Sequence, residues 1–410
     1  MSTVPPPSEG SKPIPQPKES WLLGNVKEID HDLPIGSFRR LAKLYGPIYQ
    51  LNLVGRTNIF VGTQAFSHAA CDEKVFEKEV SGSLEQVRTF AGDGLFTAYN
   101  TEPNWTLAHR ILIPAFNPLA IKRMQPAMTD VACQLLLHWD HHAGQVFEAT
   151  EQYTKLTLDT IALTAFNYRF NSFHSKEMHP FVNTMVKLLK ASGPRGRRPE
   201  LLNKLMWSSE AEFQTDTKSL HALCDEIVAE RKKHPDPEAH DLLNCMLMDR
   251  DPKTGERLSD ENIRYQMVTF LIAGHETTSG MLSFATYYLL KNPKAMRIAR
   301  EEADHVIGQE AGGNYAKINI SKLKYIDACL KEALRLQPSA PLTGLAPKDK
   351  INGAPLPGGY HVPGNAKIII QLHEVHRDPK VWGDDAETYR PERMLEENFE
   401  KLPADSWKPL

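Results

Sequence analysis

The sequence predicts a mainly α-helical protein with a small β portion, and three observations carry that expectation. Apolar residues recur at helical spacing from residue 66 to about 310. Two short runs of β-forming residues break at Gly55-Arg56, and beyond residue 337 the chain turns rich in Pro and Gly around short apolar runs. Hydrophobic residues are 41% of the 410 and charged residues 24%, ordinary proportions for a chain that buries a sizeable core. A formal charge of −3 argues against the broad basic face of a dedicated nucleic-acid binder. The five cysteines, Cys71, Cys133, Cys224, Cys245 and Cys329, show no CxxC or other metal-ligand spacing. They read as free thiols of a reducing compartment rather than a disulfide framework.

Residues 1–20 are Pro-rich, and prolines fix φ and remove donors, so this stretch reads as an extended, disordered lead-in. It has no apolar run of the kind a signal peptide or membrane anchor needs. The stretch YGPIYQLNLVGRTNIFVG reads as a hairpin. Helices are expected over 104–112, 119–142, 149–166, 177–190, 209–232, 238–248 and 260–291. Ser259 is placed to cap the last of these, Asp260 and Glu261 suit the positive end of its dipole, and Asn292-Pro293 ends it. It contains the one long apolar segment, 267–290. A transmembrane reading would set His275 and Glu276 at mid-bilayer, where each charge costs roughly 3 kcal/mol. A helix buried in a large core is the better reading, with no transmembrane segment and a cytoplasmic location. A further helix over 325–337 stops before Pro338, and 366–372 reads as a strand. Without repeats or a second composition regime, residues 21–410 read as one large domain.

Four segments carry chemistry. Glu332-Ala333-Leu334-Arg335 sets an acid and a base one helical turn apart, an arrangement worth only tenths of a kcal/mol when exposed. An ExxR arises about once by chance in a chain of ordinary charge, so alone it decides nothing. Ala273-Gly274-His275-Glu276-Thr277-Thr278-Ser279 interrupts the long apolar helix. Gly costs up to about 1 kcal/mol there, the threonines lose rotamer freedom, and Thr277 can bond back to the Ala273 carbonyl and open a notch. An acid and a hydroxyl at a notch suggest proton delivery beside a buried ligand; a satisfied polar kink is the plain alternative. Tyr389-Arg390-Pro391-Glu392-Arg393 follows His376-Arg377-Asp378-Pro379 and Val381-Trp382-Gly383. Asn104-Trp105-Thr106-Leu107-Ala108-His109-Arg110 puts Trp105 and His109 on one helix face, suited to donating indole and imidazole N–H groups to an anion.

Other patterns lead nowhere. A zinc-protease reading of His275-Glu276 fails because HExxH needs a histidine at 279, which is Ser279. His373-Glu374-Val375-His376 has the wrong spacing. His138, His141 and His142 read as solvated groups favoured by a helix C-terminus rather than a metal site, and Arg195, Arg197 and Arg198 as a solvated loop rather than an attractor of an acidic substrate.

Together and in this order, the four segments resemble the cytochrome P-450 family. The chain is most similar to the soluble fatty-acid hydroxylases of bacteria and fungi whose haem domain is fused to a flavin reductase. The resemblance runs from about Trp21 to Pro409. It implies the cytochrome P-450 fold, haem (protoporphyrin IX iron) as cofactor, and an NADPH–cytochrome P-450 reductase with FAD and FMN as partner. Glu332 and Arg335 match the family's ExxR, with Arg393 as the third member of a proximal core. Glu276 and Thr277 match its catalytic proton-delivery pair, and Ala273 and Gly274 the haem-facing part of the same helix. Trp105 matches the tryptophan that meets a haem propionate. His109 stands where many members have arginine, so its charge there depends on pH. Met394 replaces the usual Phe after PER, an apolar swap. For a lipophilic substrate, Phe96 matches a phenylalanine held over the haem and Arg56 a carboxylate-binding arginine, which could equally be a solvated hairpin residue. Phe60 takes the place of a neighbouring tyrosine.

The family's haem ligand lies in a Phe-x-x-Gly-x-x-x-Cys loop shortly after a segment like Asp405-Ser406-Trp407-Lys408-Pro409. The 410 residues hold no such loop, so the resemblance implies a fold incomplete at the C-terminus, no axial cysteine, weak or absent thiolate ligation and negligible activity for this truncated chain. It also leaves part of the apolar face of 260–291 uncovered. Three readings stand. The first is a haem-thiolate monooxygenase inserting oxygen into an unactivated C–H bond of a long-chain fatty acid or similar lipophilic substrate. The second is a catalytically dead fragment that keeps substrate or haem binding. The third, a non-haem hydrolase or helical lipid-binding protein, draws little support without G-x-S-x-G or a P-loop.

Overall fold

A computed structural model of the chain describes residues 10–408 apart from 22, 31, 32, 54, 176, 199–202, 204, 205, 311 and 313. In order, the chain forms α1 (Pro34–Tyr45), β1 (Ile48–Leu53), β2 (Arg56–Val61), α2 (Gln64–Ala70), β3 (Phe76–Lys78), α3 (Ser83–Ala91), α4 (Pro103–Leu112), α5 (Pro118–His141), α6 (Ala149–Phe166), α7 (Pro180–Arg197), α8 (Trp207–Lys233), α9 (Leu242–Met248), α10 (Asp260–Lys291), α11 (Pro293–Ala303) and α12 (Lys324–Leu336). Beyond them come β4 (Leu342–Pro347), β5 (Ala354–Leu356), β6 (Tyr360–Val362), β7 (Lys367–Gln371), α13 (Leu372–Val375), α14 (Pro379–Trp382) and α15 (Glu396–Phe399). The mainly α fold with a small β portion is therefore present, and α6 and α10 keep the bounds read from periodicity. The helix expected over 177–190 runs instead over Pro180–Arg197, and that over 238–248 shortens to Leu242–Met248. No helix among the described residues is long and apolar enough to cross a membrane.

Contacts gather the stretch expected as one domain into two compact units. The first comprises residues up to Glu79, Phe284–Asn314 and the residues from Ile318 on; the second comprises Val80–Ser283 with Tyr315–Lys317. The first holds a sheet of order β1-β2-β7-β4-β3, in which only β2 and β7 run parallel. Alternation along its strands feeds two cores. Ile48, Ile59, Val61, Ile368 and Ile370 enter one cluster, whereas Tyr49, Leu51 and Phe60 join Phe38 and Leu41 of α1 in another. Phe60 stacks between Phe38, at 4.7 Å, and Tyr49, at 5.1 Å, so the position expected beside a substrate carboxylate is buried core.

The lead-in also differs from expectation. Residues 1–9 lie outside the described residues. From Lys12 on the chain is extended but held: Lys12 N–H donates to the Gly359 carbonyl at 2.8 Å, Gln50 N–H to Pro15 at 2.9 Å, and the Asn25 amide to Pro17 at 3.1 Å. The prolines lack donors, but their carbonyls still accept, and that is what ties the strap down.

The second unit is helical around an apolar cluster fed by α3, α4, α6, α7, α8, α9 and the first turns of α10. Ser259 caps α10 as expected, its hydroxyl accepting from Asn262 N–H at 3.1 Å. Arg195, expected in a solvated loop, is instead buried near the end of α7. Its guanidinium donates to Glu210 at 2.6 Å and to Gln86 at 3.1 Å and lies 4.1 Å from the Phe213 ring. The His138 ring lies 4.3 Å from that of His142, tilted by 36°, and burial lowers its pKa.

Candidate functional site

In the first unit the site is built on α12. Tyr325, Ala328, Cys329, Glu332, Ala333, Arg335 and Leu336 are its buried residues, so an acid and a base occupy positions that helical spacing assigns to the core. Glu332 and Arg335 are both 0% exposed and meet through two parallel N–H···O bonds of 2.8 Å. The remaining Arg335 donors reach the carbonyls of His376 at 2.7 Å, Ala386 at 2.6 Å and Thr388 at 3.2 Å. Glu332 also accepts from Arg390 N–H at 3.0 Å. Arg393 lies 3.6 Å from the Glu332 carboxylate and donates to the carbonyls of Trp382 at 2.9 Å and Asp385 at 2.8 Å. Three charges from two motifs thus form one buried hub that anchors the loop between α14 and residue 393. Met394 fills an apolar site with Ala328, Trp382 and Ala386.

Several members of this hub carried no assigned role in the sequence. The Arg335 guanidinium lies 4.9 Å from the Trp382 ring, whose indole N–H donates to Val375 O at 3.2 Å. Arg377 donates to Leu336 O at 2.7 Å, and the Tyr389 hydroxyl donates to Cys329 O at 3.1 Å. His376 is 0% exposed, and burial pushes its pKa down to about 3. His376 and Trp382 stood in quoted motifs; only packing reveals that they serve Arg335.

In the second unit α10 carries Ala273, Gly274, Glu276 and Thr277. The helix runs unbroken from Asp260 to Lys291. Thr277 Oγ1 donates to the Ala273 carbonyl at 2.6 Å, the back-bond expected from sequence. Ala273 and Glu276 are exposed, whereas His275 is buried, its Nδ1 2.9 Å from Leu271 O, with its pKa lowered by burial. Gly274 has a packing reason of its own: a Cβ there would sit 2.7 Å from Ile161 Cγ1 of α6. The Thr157 hydroxyl donates across the same contact to His275 O at 2.8 Å.

Phe96 is 53% exposed on a segment bolted to α10. Leu95 N–H donates to Gln266 at 3.0 Å, and Asp93 accepts from Asn262 at 2.8 Å and from Asn104 at 2.6 Å. Trp105, 37% exposed, stacks on His109 at 4.7 Å and 16°, as their shared helix face implies. Among the described residues neither ring's nitrogens meet a hydrogen-bond partner, so they suit an anion such as a haem propionate. Arg110, next to His109, pairs with buried Asp251, a partner not foreseen, and that pairing holds the Asp251 carboxyl well below the usual range. Arg56 opens β2 of the first unit with an exposed side chain.

The residues present fit the porphyrin but not its axial ligand. Cys133, Cys224, Cys245 and Cys329 lie within α5, α8, α9 and α12, and Cys71 ends α2. Burial pushes the thiols of Cys224 up to about 12 and of Cys245 and Cys329 to about 11, the opposite of what a ligand thiolate needs.

A family model described as cytochrome P-450 matches residues 14–409. A self-sufficient cytochrome P-450 monooxygenase of Phanerodontia chrysosporium is 47% identical over 398 residues, covering 97% of this chain and 37% of that protein. The bifunctional cytochrome P-450/NADPH–P-450 reductase of Bacillus cereus is 44% identical over 400 residues, covering 97% of this chain and 37% of its own length. The corresponding reductase 1 of Bacillus subtilis is 43% identical over 402 residues, covering 98% and 37%. The chain spans a little over a third of the length of the curated relatives it matches. With a match across nearly its whole described length and the buried Glu332–Arg335–Arg393 hub in place, the chain belongs to the cytochrome P-450 family.

Proposed function

We propose that the chain is the haem-carrying part of a cytoplasmic monooxygenase that inserts one oxygen atom into an unactivated C–H bond of a long-chain fatty acid or similar lipophilic substrate. Electrons come from an NADPH-dependent reductase, as the names of the bifunctional relatives describe, with FAD and FMN the flavins that the family resemblance implies for it. The observation that carries this reading is the polar tract of α10, where exposed Glu276 stands beside a Thr277 hydroxyl anchored on the Ala273 carbonyl at 2.6 Å.

Haem, when held by a thiolate, supplies the oxygen-activating chemistry. Trp105 and His109 would hold its propionates through ring N–H groups, and Ala273, with its single methyl, would leave it room, while Gly274 lets this stretch of α10 pack closely on α6. The Glu276 carboxyl and the Thr277 hydroxyl are the groups that would relay protons at a bound haem. Phe96 shapes the apolar pocket, and Arg56 takes a substrate carboxylate.

For residues 1–410 themselves the same reading gives no thiolate ligand, since all five cysteines sit in or at the ends of helices and three are held protonated. A polypeptide of these residues therefore retains at most loose haem binding and no appreciable turnover. The test is product formation from palmitate and NADPH by a longer, reductase-coupled chain. Thr277→Ala is expected to lower hydroxylated product roughly a hundredfold, the low end for a lost proton donor. Arg56→Ala is expected to raise KM for the acid but not for its methyl ester. Undiminished product from Thr277→Ala would contradict the reading.

A further inference from the structure

His376 is buried in the first unit and is hydrogen-bonded through both its backbone and its ring. Its N–H donates to Leu372 O at 2.8 Å, and its carbonyl accepts from Arg335 Nη1 at 2.7 Å. Its ring Nδ1 lies 3.2 Å from Arg335 O, and its Nε2 lies 3.1 Å from the backbone nitrogen of Lys408. A backbone N–H only donates, so Nε2 carries no proton, and the neutral ring keeps its one proton on Nδ1 for the Arg335 carbonyl. That carbonyl lies in the last turn of α12, where no intrahelical donor remains, and His376 supplies one. The two ring nitrogens therefore join the end of the buried hub helix to the backbone at Lys408.

The segment that receives this bond is fastened elsewhere by contacts independent of His376. The Gln64 amide donates to Ala404 O at 2.6 Å. The Asp405 carboxylate meets His68 at 2.7 Å and Lys408 Nζ at 2.8 Å, and Trp407 Nε1 reaches Lys331 O at 3.4 Å. Among the described residues, Trp407 reaches α12 at Lys331, while the His376 side chain links the segment to Arg335 itself.

We propose that His376 is a positioning residue: its Nδ1–H tautomer transmits the fixed geometry of the Glu332–Arg335 hub to the backbone of Lys408 and sets the register in which the chain leaves that segment. The proposal rests on the functional reading above, because in the family the stretch following such a segment carries the haem ligand. The hub thereby acts on ligand geometry through one neutral imidazole, so the two ring nitrogens can be separated by substitution. In His376→Asn the side-chain amide can still donate to Arg335 O but nothing reaches Lys408. In His376→Gln an acceptor extends toward Lys408 instead.

Amide hydrogen exchange on residues 1–410 without haem tests the bridge. His376→Asn is expected to speed exchange at the Lys408 amide about five- to tenfold while leaving the α12 amides unchanged, and His376→Gln to restore protection. The wild-type imidazole is expected to show the nitrogen shifts of a neutral ring protonated at Nδ1. Unchanged Lys408 exchange in His376→Asn, or a ring protonated at Nε2, overturns the bridge. The same variants in a longer chain containing the Phe-x-x-Gly-x-x-x-Cys loop test its consequence. Loss of the thiolate-type reduced carbon monoxide band in the Asn variant and its return in the Gln variant support the positioning role. Full retention of the band in the Asn variant despite faster Lys408 exchange overturns that role. A wild-type longer chain with no such band refutes the monooxygenase reading instead, and the exchange result then judges the bridge by itself.

Discussion

Single side chains show how burial changes what a charge pair is worth. On an exposed helix Glu332 and Arg335 would contribute tenths of a kcal/mol. With both fully buried and every Arg335 donor engaged, removing one partner leaves an uncompensated charge in the core. Glu332→Gln is therefore expected to cost about 3–5 kcal/mol of stability, read from the midpoint of urea unfolding. A cost below about 1 kcal/mol would mean the hub is not the anchor of this unit. His376 adds a pH dependence of determinable sign. Folding holds it neutral down to about pH 3, whereas the unfolded imidazole takes a proton near 6.5. Between those values the unfolded state binds one more proton, so stability falls as pH drops from 6.5 toward 3 and is fully present above 6.5. From pH 6.5 to 4.5 this amounts to about 2–3 kcal/mol, a component that His376→Gln is expected to remove when unfolding is followed across that range. The charges of the hub were readable in the sequence because ExxR and PER are local patterns. Their worth was not, because burial belongs to the packing of α12 against the loop near residues 376–393, and nothing local announces it.

At the scale of elements, α10 is the most legible piece of the chain. Ser259 at its start and Asn292-Pro293 at its end fix its bounds, and each signal acts within a turn of where it is read. What the sequence left open was why a glycine sits at its middle. Close approach of α6 gives one answer, since a Cβ on Gly274 would meet Ile161. Gly274→Ala is expected to cost about 1–3 kcal/mol by overpacking, despite the gain in helix propensity. The cost is expected to shrink in an Ile161→Ala background, measured as a double-mutant cycle. An unchanged cost would assign the glycine to something other than this contact. Alternation along β1, β2 and β7 was equally plain, but which face each residue joins depends on α1, an element hidden in the mixed pattern of residues 21–62. For the same reason the stacked aromatic core that holds Phe60 was not legible in the sequence.

For the whole molecule, family membership was legible because four motifs, three of them weak alone, stand in one order, and a match over residues 14–409 agrees. The division into two compact units was not legible, since no linker or change of composition marks it. Nor was the strap from Lys12 to Asn25, whose bonds run through carbonyls that every residue possesses. The central proposal for these 410 residues is chemical: beside the buried hub they would carry the porphyrin-facing residues of a haem-thiolate monooxygenase, with none of their five cysteines serving as the ligand. The reduced carbon monoxide spectrum of haem-reconstituted residues 1–410, recorded beside a longer chain with the Phe-x-x-Gly-x-x-x-Cys loop, tests this most directly. The account predicts a thiolate-type red-shifted Soret band from the longer chain and none from residues 1–410; such a band from residues 1–410, or its absence from both, would contradict it.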